Sequence, residues 1–133
     1  MVISGANKWI HYLSDSYVGS VHDYALLKAE FSPDKLWFKN KHVQVDLAYI
    51  GFVKDFVYES VSIPHKKPKG GELSEIQKAE NKQISSQRIT VEHSIAGLKR
   101  YGILSNRLRH RDVDWYNCVL GICAGLWNIC LNC

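Results

Sequence analysis

The chain has 133 residues, about one domain's worth, of which 46% are hydrophobic and 23% charged; that balance excludes an intrinsically disordered protein and is long enough to bury a real core. The net charge of +4 is unevenly placed: residues 1–64 carry six Lys/Arg against seven Asp/Glu, for −1, and residues 65–133 carry eleven against six, for +5. The second half is therefore the one expected to meet a polyanion.

No N-terminal segment has the charged, apolar and small-residue order of a signal peptide, and the longest apolar run, near the C-terminus, is broken by Asn128 and Asn132. A cytoplasmic location with no membrane partner is the expectation. Cys118, Cys123, Cys130 and Cys133 all fall in the last sixteen residues. Only the last two have a metal-like CxxC spacing, with no second pair and no nearby His, so all four read as small apolar core residues of a terminal helix.

In chain order, Lys8 to Leu13 has the β-branched and aromatic content of a strand, left through the loop Ser14 to Gly19. Ser20 followed by Asp23 resembles a capping box, and Tyr24, Leu27 and Phe31 give the helix an apolar stripe that Ser32-Pro33-Asp34 ends. His22 and Asp23 suggest a catalytic pair, but neighbours on a helix point about 100° apart, and helix capping is the better reading. Val43 to Leu47 alternates as a second strand, from whose end Asp46 emerges. A carboxylate there is rigidly placed for metal chemistry, although a lone Asp after a strand is more often a turn or cap residue. Tyr58 to Ile63 reads as a third strand, stopped by Pro64.

His65-Lys66-Lys67-Pro68-Lys69-Gly70-Gly71 opens a basic loop, expected to be flexible over residues 65–80. It is either a solvated linker or a phosphate contact through Lys66, Lys67 and Lys69. The polar stretch from Glu72, with Ser74 as an early cap, runs into an amphipathic helix ending near Arg100. At about 100° per residue Ile84, Val91, Ile95 and Leu98 share one stripe, bordered by Arg88, Glu92, Ala96 and Lys99. Glu92 thus stands where a buried face meets an open one. Either it forms an ordinary i, i+4 pair with Arg88, or it serves as a held carboxylate that reaches a ligand. From Lys99 to Arg111 there are five Lys/Arg and no acid, where a solvated face would mix both signs; Lys99, Arg100, Arg107, Arg109 and Arg111 are candidate polyanion contacts. Asp112 to Asn132 closes the chain as an apolar helix carrying Val119, Leu120, Ile122, Leu126 and Ile129.

Four separated blocks then carry a family resemblance: Gly19-Ser20-Val21-His22-Asp23; Asp46-Leu47-Ala48-Tyr49-Ile50-Gly51; Pro64 to Pro68; and Arg88 to Lys99 followed by Tyr101-Gly102-Ile103-Leu104. In this order and spacing the chain, from about Lys8 to Asn128, resembles the C-terminal half of DDE transposases. The nearest group is the bacterial insertion-sequence enzymes that share the DDE endonuclease domain with Harbinger-type transposases. The resemblance implies an α/β, partial RNase H-like fold of two to three strands with flanking helices, the first strands missing. It implies one portion of a single DDE domain spanning residues 1–133.

The resemblance further implies metal-dependent cleavage and transfer of DNA strands at insertion-sequence ends. Asp46 matches the second Asp of the catalytic triad and Glu92 its Glu, both ligands of a two-metal site for Mg²⁺ or Mn²⁺. Arg88, His93, Lys99 and Arg100 stand beside Glu92 as orienting or phosphate-holding groups. The triad's first Asp lies upstream of the matching region in that family. The site is accordingly expected to be incomplete in this chain, as in a decayed copy or the second frame of a frameshifted element. Implied partners are DNA, both transposon ends and target, together with the upstream half of the same transposase or a homo-oligomer. The competing expectation is a non-catalytic DNA-binding fragment that uses the basic segments.

Overall fold

In a computed structural model, residues 1–17, 21–106 and 112–133 are described. They form β1 (Val2–Ser4), β2 (Ile10–Leu13), α1 (Asp23–Glu30), β3 (His42–Gln44), a one-turn 3-10 helix (Leu47–Tyr49), α2 (Phe52–Asp55), β4 (Ser60–Ser62), α3 (Glu75–Lys99) and α4 (Val113–Cys130). The fold is mixed α/β. Its strands make two separate pairs, antiparallel β1–β2 and parallel β3–β4, where the sequence led us to expect one sheet of two or three strands. The chain divides into two compact units, Met1–Val18 with Ile89–Cys133, and Gly19–Arg88; α3 contributes residues to both.

In the first unit, β1 and β2 are joined by a tight turn in which Gly5 and Lys8 exchange backbone bonds with their neighbours and Lys8 takes φ 68°. This turn brings Val2 to Ser4 into register with Ile10 to Leu13, a pairing partner the alternation pattern did not reveal. Ile10, Leu98, Cys123 and Ala124 are the buried core, with Val2, Leu13, Ile103, Leu104, Val119 and Trp127 against it. At Ile10 the outer backbone of β2 is paired by a side chain. Asn128 on α4 accepts from Ile10 N–H and donates to Ile10 C=O, both at 2.9 Å, completing what another strand would have supplied.

Two expectations for this unit are corrected. Cys123 alone of the four cysteines is buried, and Ile122, Leu126 and Ile129 are exposed, because α4 turns only the Val119, Cys123, Ala124 and Trp127 side to the core. On α3, Ile95 is 37% exposed whereas Ser94 is fully buried. The face that packs is Ser94, Gly97 and Leu98, with no side chain at Gly97 because Trp127 lies directly over it. A Cβ at Gly97 would stand 2.3 Å from that indole ring. Ser94 Oγ and Trp127 Nε1 both donate to the Lys8 carbonyl, at 2.9 and 3.0 Å, so the left-handed turn, α3 and α4 share one polar anchor.

The second unit has an aromatic core. Phe52 stacks on Phe56 with ring centroids 4.8 Å apart, and Phe38 meets both edge-on at 5.0 and 5.4 Å. Phe31 and Tyr58 extend the cluster. The parallel β3–β4 pair needs a crossover longer than a hairpin turn; the 3-10 helix and α2 form it and deliver Phe52, 1% exposed, to the cluster. α1 starts at Asp23, with His22 as its cap accepting from Tyr24 N–H at 3.3 Å. The capping reading of this stretch holds through His22, while Ser20 lies outside the described residues. α3 begins at Glu75, so residues 75–80 are helix and not part of the basic loop. Ser74 and Gln77 form the reciprocal capping box that starts it, at 3.1 and 3.2 Å.

Candidate functional site

Strand β3 ends at Gln44, whose side-chain amide donates to the Ile84 carbonyl of α3 at 2.8 Å. Val45 adds one more bond to β4. The chain then turns, and Asp46 becomes the N-cap of the 3-10 helix, its Oδ1 accepting from Leu47 N–H at 2.6 Å. Asp46 therefore sits two residues beyond the paired strand and fills the cap role considered for it from sequence. Its other oxygen remains outward. Oδ2 faces Arg88 Nη1 of α3 at 3.4 Å, with the Asp46 side chain 51% exposed.

Around Asp46 the second unit is built from tyrosines. Tyr49 meets the ring of Tyr24 edge-on at 6.5 Å. Its hydroxyl pKa is pushed up by burial first and then by the negative charges of Asp23 and Asp46, so these two carboxylates bear on one hydroxyl. Tyr24 donates to Asp55 Oδ2 at 2.5 Å, and Lys28 lies 3.4 Å from the same oxygen. The Tyr24 hydrogen bond holds the Asp55 carboxyl below the usual range. Gly51 permits this packing, since a Cβ there would fall 2.5 Å from the Tyr24 ring.

Glu92 belongs to the first unit, on the solvent side of α3, two residues before buried Ser94. His93, Lys99 and Arg100 are exposed beside it. Of the residues singled out from sequence, the structure thus brings Asp46 to Arg88. Among the described residues no group of three or more His, Cys, Asp or Glu is placed to hold a metal ion.

The basic loop is more ordered than its composition suggests. Lys66, Lys67 and Lys69 are exposed and none forms an ion pair among the described residues, whereas Lys28 and Lys78 are both paired with acids. At the loop's start, Asn81 of α3 accepts from His65 N–H at 2.7 Å and donates to His65 C=O at 3.1 Å. The His65 ring meets Glu80 Oε2 at 2.6 Å. Midway, Gly71 N–H donates to Pro68 C=O across a turn in which Gly70 takes φ 74°, a conformation glycine adopts without strain. The reading of the sequence did not find Asn81 or Glu80; they lie a loop away from His65 and carry no pattern of their own. Arg107, Arg109 and Arg111 lie outside the described residues. No described helix is long and apolar enough to cross a membrane.

Comparison with known proteins gives these residues a context. Residues 1–128 match the family described as DDE superfamily endonuclease. Over 110 residues the chain is 37% identical to the "Probable transposase for insertion sequence element IS702" of Microchaete diplosiphon, a match that covers 83% of this chain and 38% of that relative. The chain thus spans well under half the length of the relative it matches. No solved structure matches it. A family match that takes in nearly the whole chain, together with that identity, shows that the chain belongs to the DDE transposase family, among the DDE superfamily endonucleases.

Proposed function

We propose that the chain is the C-terminal portion of an insertion-sequence transposase with a partial RNase H-like fold, and that it contributes Asp46 and Glu92 to metal-dependent cleavage and transfer of DNA strands. The observation that carries this reading is the Asp46 carboxylate. It is held through one oxygen by the Leu47 N–H, pairs through the other with Arg88 at a half-exposed position, and sits in a chain that matches the DDE superfamily endonucleases.

Superfamily enzymes of this kind generally use divalent metals. The chemistry of the proposed ligands suits such ions: Asp46 and Glu92 each present hard carboxylate oxygens at an exposed position, the ligand type Mg²⁺ and Mn²⁺ favour. Bound to them, the metal would supply Lewis-acid stabilisation of the attacking and leaving oxygens in an in-line phosphodiester displacement. Asp46 would be one ligand of such an ion, its carboxylate already oriented by the cap bond to Leu47 N–H. Arg88 keeps positive charge beside that carboxylate. Lys66, Lys67, Lys69, Lys99 and Arg100, with Arg107, Arg109 and Arg111, take the phosphate backbone of transposon ends and target.

Two carboxylates make an incomplete two-metal site. We assign the remaining ligand to a part of the transposase that these 133 residues do not cover, the upstream half of the same transposase or a second copy, the match covering 38% of the relative's length.

The test is Mg²⁺-dependent cleavage of insertion-sequence end DNA by the chain complemented with the rest of a DDE domain. Asp46→Asn and Glu92→Gln should each reduce cleavage to background while DNA binding persists, and the uncomplemented chain should not cleave. Robust nicking by the chain alone that disappears in Asp46→Ala would overturn the incomplete-site reading. The alternative, a DNA-binding fragment without chemistry, is favoured by loop lysines that have no acidic partner among the described residues; it requires that complementation never restore cleavage.

A further inference from the structure

The basic loop is joined to α3 by more than the chain. Asn81 brackets the backbone of His65 with two hydrogen bonds, occupying both its N–H and its C=O, and Glu80, the preceding residue of α3, takes the His65 ring. Successive helical residues therefore grip the main chain and the side chain of the one residue that precedes Lys66. The far end is closed by the Pro68–Gly71 turn and the Ser74–Gln77 capping box. Lys66, Lys67 and Lys69 lie between these fixed points, exposed and without acidic partners among the described residues.

Three like charges on an untethered loop would spread apart and would have to be gathered on each binding event. Ordering a side chain or loop residue on binding costs affinity, and preorganisation removes part of that cost. We propose that Asn81 and Glu80 are positioning residues: they latch His65 to α3 so that the three lysines are presented as a preformed phosphate-backbone clamp. This rests on the reading that the loop contacts DNA, and goes beyond it by naming the groups that act through the lysines without touching the nucleic acid.

The latch makes a demand that simple charge does not. Removing the Glu80 carboxylate takes a negative charge away from a basic loop, which by itself tightens binding to a polyanion. Glu80→Gln and Glu80→Ala remove the same charge, but only Gln can still hydrogen-bond the imidazole. The latch requires Glu80→Ala to bind less tightly than Glu80→Gln.

The experiment is fluorescence anisotropy of the full chain with a labelled DNA duplex over a range of salt. Asn81→Ala, Glu80→Ala and Glu80→Gln are each measured with the native loop and in a Lys66→Ala/Lys67→Ala/Lys69→Ala background. With the native loop, Asn81→Ala should weaken binding by about five- to tenfold, a plausible cost of a few reordered side chains, and Glu80→Ala should bind less tightly than Glu80→Gln. In the triple-lysine background Asn81→Ala should have no effect and the two Glu80 variants should bind alike. If the lysine variant is weakened but Asn81→Ala is not, or Glu80→Ala and Glu80→Gln bind alike with the native loop, the latch is wrong and the DNA-contacting loop stands. If Asn81→Ala is equally damaging in both backgrounds, its role is general stability and the latch is again wrong. If the triple-lysine variant binds with unchanged affinity and salt slope, the DNA-contacting loop itself fails and the latch with it.

Discussion

Asp46 has two separable roles, a cap and a charge. The cap bond to Leu47 N–H needs only a side-chain oxygen, and Asn caps as well as Asp. The charge is what a metal ion would require. Asp46→Asn should therefore leave the thermal midpoint nearly unchanged, whereas Asp46→Ala should cost about 0.5–2 kcal/mol, the range for lost caps; calorimetry of the two variants checks it.

Tyr24 and Asp55 give a pH signature at the same scale. Asp55 has its carboxyl lowered, chiefly by the Tyr24 hydroxyl and then by Lys28. A depressed carboxyl contributes stability above its unfolded pKa and loses it as pH falls through the folded one. Tyr24 is shifted the other way, upward, by burial and by Asp55, so its contribution is complete below the ordinary tyrosine value and is lost as pH climbs through the raised one. Tyr24→Phe should move the Asp55 titration back up, visible in its carboxyl NMR shift, and should remove part of the fall in stability at both extremes of pH.

Among the elements, α3 shows what periodicity can and cannot reveal. Its existence, Ser74 as its cap and the place of Glu92 at the edge of its buried face were legible from residue types and spacing, whereas Gln77, the other half of the capping box, was not singled out. The make-up of that face was not legible. A pattern of apolar residues placed Ile95 inward, yet the helix packs through Ser94 and Gly97 because Trp127 approaches too closely for larger side chains. Close approach selects small residues, and a hydrophobicity period does not register them. Gly97→Ala should therefore destabilise the chain, with overpacking of about 1–3 kcal/mol opposing a helix-propensity gain of about 1 kcal/mol; a lowered denaturation midpoint would show it.

The two asparagine brackets, Asn128 on Ile10 and Asn81 on His65, were equally hidden. Each completes a backbone segment remote in sequence, and single-chain patterning carries no such pairing. Strand β3 ended earlier than alternation implied because, after Gln44 pairs with Ser62 and Val45 gives Ser62 one more bond, the backbone turns into the 3-10 helix that Asp46 caps.

At the scale of the whole molecule, the family was legible because four chemical blocks recur in fixed order, a signal that survives where short strands blur. The arrangement into two units, with an aromatic core in one of them, was not, since Phe38 and Tyr58 reach the Phe52/Phe56 pair from separate segments that no single period links. That core is the second unit's main apolar anchor. Phe52→Ala should cost about 3–5 kcal/mol, a large share of the roughly 5–15 kcal/mol that holds a typical domain together. Loss of near-ultraviolet circular dichroism from the aromatic cluster would report it.

The central claim, that Asp46 and Glu92 are metal-ligating carboxylates, is tested most directly by titrating Mn²⁺ into the isotopically labelled full chain and following paramagnetic broadening of its amide NMR signals. The expected result is broadening at Leu47 and at His93, the neighbours of the two acids, the first removed by Asp46→Asn and the second by Glu92→Gln. Broadening that persists unchanged in these variants, or no broadening at either position, would contradict it.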